Sequence, residues 1–134
     1  MTVVVCTDSR GGMLFMGRRV SRDREMIADL MTLTPSVLCR PFSEKYLATT
    51  PLPYRVTEDP LAVAGGEDFC FIEEPPLAPY LDRIDRLIVY SWGVAYPFDR
   101  ALDIDPCGGL FHRTDLYELV GHSHKTITRE IFEK

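Results

Sequence analysis

Apolar stretches alternate along the chain with polar, turn-forming segments, and their periods predict strands interleaved with short helices. TVVVC, residues 2–6, is β-branched and uninterrupted, the pattern of a strand buried on both faces at the centre of a sheet. TDSRGG follows as a turn, with Asp8, Gly11 and Gly12 suited to unusual backbone angles. Ser21 is placed to cap a helix whose first turn holds Asp23 and Glu25. Met26, Ile27, Leu30 and Met31 then recur on one face until Pro35 stops it. SVLC, residues 36–39, reads as a second strand, and PFSEKYL, residues 41–47, as a short helix entered through Pro41.

Between residues 49 and 60, Pro51, Pro53 and Pro60 interrupt any period, and the segment reads as an irregular loop. It is not a linker, because a boundary there leaves two halves too small to hold a core each. DFCFIEE, residues 68–74, is a third strand. PPLAPYLDRI places Leu77, Tyr80, Leu81 and Ile84 at helical spacing, ending at Asp85. RLIVYSW, residues 86–92, is the clearest strand of all. After a loop from Asp103 to Gly109, LFHRTDLYEL fits either period. HKTITREIFE, residues 124–133, favours a closing strand. The order predicts one α/β domain over residues 1–134, a mixed, mostly parallel sheet with flanking helices.

Composition agrees with a globular chain: of 134 residues, 46% are hydrophobic and 26% charged. The formal charge of −5 argues against nucleic acid or anionic lipid as a partner attracted by the overall field. No apolar run approaches membrane-spanning length, and MTVVVC lacks the basic start of a signal peptide, so the expectation is a cytoplasmic protein. Cys6, Cys39, Cys70 and Cys107 contain no C-x-x-C pair and read as small buried apolar residues. Their flanks share no pattern, so their near-even spacing is not a repeat.

The succession of pieces resembles the dihydrofolate reductases: a first strand, a glycine-containing loop, a helix with an acidic residue, then a strand ending in Gly-Arg-x-Thr. VVVCTDSRGGMLF, REMIADLMTLT and SVLCRPFSEKYL follow that order, and CFIEEPPLAPYLDRIDRLIVYSWGVAYPFDRALDID and HKTITREIFEK continue it. The resemblance spans nearly the whole chain and rests on succession and spacing. It implies a small-molecule pocket for a pteridine-like or nucleotide-like ligand, and a reductase activity. Asp29 takes the place of the family's catalytic acid. By helical rotation it falls at the border of the apolar stripe, where a carboxylate is partly desolvated.

Arg40 corresponds to the arginine that binds cofactor phosphate in the family, with Ser43 as a replacement for the family's threonine hydroxyl. Gly12 to Arg19 would form a closing loop, which adds Gly12, Arg18 and Arg19 to the ligand-binding candidates. The resemblance implies NADPH, but Glu73 and Glu74 stand where the family has two glycines. Carboxylates there would satisfy the next helix start themselves and repel a pyrophosphate. A non-catalytic ligand-binding or interaction scaffold of the same fold is therefore the alternative, and a homo-oligomer is compatible with either.

Arg18, Arg19, Arg22 and Arg24 form the dense basic cluster of an acidic chain, suited to clamping an anionic substrate or to a solvated flank balanced by Asp23 and Glu25. Trp92 and Tyr96 could stack on a ligand ring or close a core. Asp99, Asp103 and Asp105 lack the glycine-centred spacing of a calcium loop. P-loop, dinucleotide-fingerprint and nucleophile-elbow motifs are absent. His122 and His124 would share a face of a strand and permit a third reading, a metal-dependent nuclease or hydrolase. Two imidazoles need a third ligand, and the assignment for metal is none.

Overall fold

The computed structural model describes residues 1–134. β1 (Thr2–Thr7) runs through the middle of the molecule. Val3 and Val5 pack into one core and Val4 into a second, so an alternating strand would not serve here: both faces are covered. The chain then turns through a hairpin of β2 (Gly12–Phe15) and β3 (Arg18–Arg19), joined at Met16 and Gly17 with φ of 51° and 76°. Two successive positive φ values give the twist that suits a two-residue hairpin loop.

Helix α1 (Arg24–Met31) follows, then β4 (Val37–Cys39) and α2 (Pro41–Leu47). Next come β5 (Tyr54–Val56), α3 (Pro60–Val63), β6 (Phe69–Phe71) and a 3-10 helix over Ala78–Arg83. β7 (Arg86–Ser91), β8 (Arg100–Ala101), β9 (His112–Leu119) and β10 (Ile127–Glu133) complete the chain.

The main sheet has the order β5-β4-β6-β1-β7-β10-β9, and β3-β2-β8 form a small second sheet. β5, β4, β6, β1 and β7 are mutually parallel, whereas β10 runs antiparallel to both β7 and β9. The segments 2–6, 68–73 and 86–92, expected to share one sheet, supply adjacent strands: Val4 lies between Phe71 and Ile88. The fold class expected from the sequence is the one observed. No helix is long and apolar enough to cross a membrane.

Several local expectations are corrected. Asp23, not Ser21, caps α1: its side chain accepts the Glu25 N–H, and Ser21 lies two residues earlier in the connection. α1 ends at Met31, ahead of Pro35, because Thr32 turns its hydroxyl and N–H back onto the Asp29 carbonyl. The loop of residues 49–60 contains β5, whose hydrogen bonds come from β4 rather than from any period of its own. The segment after β6 is 3-10 rather than α-helical, with Pro75, Pro76 and Pro79 withholding N–H donors. Leu77 and Ile84 are still fully buried there. The ambiguous LFHRTDLYEL is the edge strand β9, exposed along most of its length. Cys107 is exposed, unlike Cys39 and Cys70.

Gly12 is required by packing. A Cβ built there would overlap the Phe98 side chain. Gly12→Ala should therefore cost about 1–3 kcal/mol in urea unfolding, the range for overpacking. A loss under about 0.5 kcal/mol would show that Phe98 steps aside freely.

Candidate ligand-binding cleft

The largest cavity, about 870 Å³, opens between the β2–β3 hairpin, the start of α2 and the bend before β10. Gly17, Arg18, Arg19, Ser21 and Arg22 form one wall, Pro41, Phe42 and Lys45 another, and Ser123 closes the end. Its volume is that of a drug-sized or nucleotide-sized site, but its wall is cationic rather than apolar. A second hollow of about 380 Å³ shares Arg22 and Ser123 and is floored by Tyr46. Tyr46 is buried and its hydroxyl has no hydrogen-bond partner.

Arg19 is held rigidly at the cleft wall. Glu73 accepts from its Nε at 2.7 Å and from its terminal nitrogen at 3.0 Å, a bidentate clamp. The guanidinium also lies 4.7 Å from the Tyr46 ring centroid and 5.4 Å from that of Phe42. Its charge is therefore spent within the protein. Arg40 is spent likewise, 3.3 Å from Glu74. Arg18, Arg22 and Lys45 meet no carboxylate within ion-pair distance.

Behind the cleft lies a network that joins chain segments a hundred residues apart. Asp23 is buried and accepts the backbone N–H groups of Glu25, His122, Ser123 and His124. His124 Nδ1 lies 2.9 Å from the same carboxylate. Burial by itself would raise the Asp23 carboxyl. The hydrogen bonds from His122, the His124 ring, Glu25 and Ser123 outweigh it and hold the group at about 2. The opposite nitrogen, Nε2, is 2.9 Å from Ser21 Oγ and 2.9 Å from the Tyr96 hydroxyl. Trp92 stacks on the imidazole at 4.7 Å with the planes 20° apart. Tyr96 is placed in turn by Asp8, which accepts its N–H together with those of Arg10 and Gly12.

The sequence candidates separate into those the cleft gathers and those it does not. Arg18 and Arg19 line it. Asp29 lies elsewhere, against β7 and β10: Tyr90 donates its hydroxyl at 2.6 Å and Arg129 donates at 2.8 Å. Arg129 also bonds Asp115. These contacts tie α1 to β7 and β10 through the Asp29 carboxylate. Ser43 is buried away from the cavity wall, and Gly12 lies under Phe98 in β2.

His122 and His124 occupy the bend before β10, not a strand: His122 is exposed, while both ring nitrogens of His124 are engaged by protein groups. No group of three or more His, Cys, Asp or Glu side chains converges on a metal-binding arrangement. Sequence reasoning missed Asp23, Phe42, Lys45 and Ser123. Only Asp23 carried a signal, since Asp directly before a helical stripe is as good a cap as Ser.

The end of β6 departs from the dinucleotide-binding expectation in an unforeseen way. Glu73 and Glu74 do not cap the following helix. They turn to Arg19 and Arg40, while Asp103 accepts the Leu77 N–H at 2.8 Å and the Ala78 N–H at 2.9 Å. An internal carboxylate thus already occupies the anion position at that helix start.

No family model matches the sequence, and no curated protein matches it. Among solved structures the chain is similar to dihydrofolate reductase from Enterococcus faecalis, complexed with NADP(H) and RAB-propyl, with a TM-score of 0.66. The match covers 98% of this chain and 94% of that one at 9% sequence identity, a likeness that establishes the fold and nothing beyond it. The chain has a dihydrofolate reductase-like fold.

Proposed function

We propose that the protein binds a small phosphate-bearing, nucleotide-like molecule in the cleft between the β2–β3 hairpin and α2, and that it does so without a dinucleotide cofactor. The observation that carries this reading is the convergence of Arg18, Arg22 and Lys45, none paired with a carboxylate, on one cavity of a chain whose net charge is −5. Unpaired cations on a concave wall favour a multiply charged anion. The Phe42 ring in the same cavity suits the ring of a base.

NADPH does not fit the residues at the end of β6. Glu73 and Glu74 have consumed Arg19 and Arg40, and Asp103 fills the helix start, so a pyrophosphate placed there meets carboxylates. This supports the ligand-binding reading over a reductase of the family's type, with Asp29 serving as a tie between α1, β7 and β10.

The test is calorimetric titration with nucleoside mono-, di- and triphosphates, with NADPH and with folates. Affinity should rise with phosphate number and fall with salt. Arg22→Glu and Lys45→Glu should each weaken binding by about tenfold or more. Saturable NADPH binding that Arg22→Glu leaves unchanged would overturn the reading. So would nucleotide affinity insensitive to both substitutions.

A further inference from the structure

The hydrogen-bonded set behind the cleft has the order of a nucleophile, its base and the group that orients the base. Ser21 lines the cavity and its Oγ lies 2.9 Å from His124 Nε2, while the opposite nitrogen of that ring lies 2.9 Å from Asp23. An ionised Asp23 demands the Nδ1–H tautomer, which leaves Nε2 as an acceptor toward the Ser21 hydroxyl. Stacking on Trp92 and the backbone bonds to Asp23 fix the ring in place. The Tyr96 hydroxyl shares Nε2 and lies 3.4 Å from Ser21 Oγ, so it competes for the same lone pair. Of the two hydroxyls, Ser21 is the one lining the cavity.

We propose that Ser21, His124 and Asp23 form an acyl-transfer triad that hydrolyses carboxylic esters of small anionic molecules. The inference rests on the anion-binding cleft for substrate capture, while its chemistry stands on the Ser21 geometry alone. Ser21 Oγ attacks the ester carbonyl carbon as His124 Nε2 takes the hydroxyl proton, and the carbonyl electron pair moves onto oxygen. On collapse the oxyanion pair re-forms the carbonyl, and the bond to the leaving alcohol breaks; that oxygen departs with the bonding pair and receives the proton from His124. Water then repeats the sequence on the acyl-Ser21 ester, releasing a carboxylic acid and restoring Ser21. Asp23 is a positioning residue: it holds the tautomer and stabilises the imidazolium that forms. Lys45 and Arg22, which line the same cavity, supply positive charge for the anionic part of the substrate.

The decisive measurement is labelling of the full chain with a small neutral fluorophosphonate, followed by peptide mapping by mass spectrometry. One adduct is expected, on Ser21, with loss of fluoride. It should be absent in Ser21→Ala and slowed by about a hundredfold or more in His124→Gln. Absence of a Ser21 adduct in the folded wild-type chain overturns the proposal, as does an unchanged rate in folded His124→Gln.

If His124→Gln does not fold, Ser21→Cys decides. The thiol placed beside His124 should react with iodoacetamide about tenfold faster than exposed Cys107, an internal reference. An equal or slower rate overturns the proposal. Nucleoside triphosphate should slow Ser21 labelling. Labelling that nucleotides leave untouched keeps the triad and removes the cleft reading. Nucleotide binding with no Ser21 chemistry removes the triad alone.

Discussion

Asp23→Ala is expected to lower stability by about 3–5 kcal/mol, the cost of leaving a buried charge-assisted network without its acceptor. The carboxylate is buried, and its loss strands the N–H groups of His122, Ser123 and His124 at the bend before β10, together with the Glu25 N–H in the first turn of α1. Asparagine should recover only part of the loss, because its amide offers one oxygen and no charge. The pH dependence has a definite sign. The folded-state carboxyl titrates at about 2 against an ordinary value of 3.8, so its contribution is fully present above the unfolded value. It is lost as pH falls toward 2, and on this linkage it amounts to roughly 2 kcal/mol. Urea midpoints of wild type and Asp23→Ala between pH 2 and pH 6 measure it: the gap between the two curves should narrow by roughly 2 kcal/mol toward the acid end. Parallel curves across that range would mean that Asp23 is not what the acid limb reports.

Arg19→Met should be the second large effect, also about 3–5 kcal/mol, because it leaves Glu73 without its partner in a site where that side chain is only 8% exposed. Methionine keeps much of the volume over Phe42 and Tyr46 but loses the cation–π contacts, each worth about 0.5–2 kcal/mol. Adding Glu73→Gln to Arg19→Met should restore a large part of the stability, since the uncompensated charge is then gone. A double-mutant cycle by urea denaturation gives the coupling directly. Additive single effects would show that the clamp is no more than a packing contact. Glu73→Gln alone releases the Arg19 guanidinium into the cleft, and nucleotide affinity should then increase.

Much of the scaffold was legible because its signals are local. The unbroken β-branched run at Thr2–Cys6 required cover on both faces, and RLIVYS required a strand next to it. Pro41 fixed the entry to α2. β5 and β9 were less legible, since a short edge strand takes its hydrogen bonds from its neighbour and needs no strong pattern of its own. The 3-10 helix kept the expected burial of Leu77 and Ile84 while changing its pitch.

The site divides along the same line. The sequence by itself determined the central strands, the basic cluster around Arg18 and Arg19, and the paired carboxylates Glu73 and Glu74 at the end of a strand. Each follows from residue identity at one place. Tertiary structure alone decided which charge meets which. Asp29 is taken by Arg129 and Tyr90, Arg40 by Glu74 and the 3-10 helix start by Asp103, while Asp23, one helical turn and a half before Asp29, gathers the His122–His124 bend. The reason is that a buried charge must be satisfied wherever the fold leaves it, and its partners come from segments as far as 101 positions away, whose approach no local period encodes.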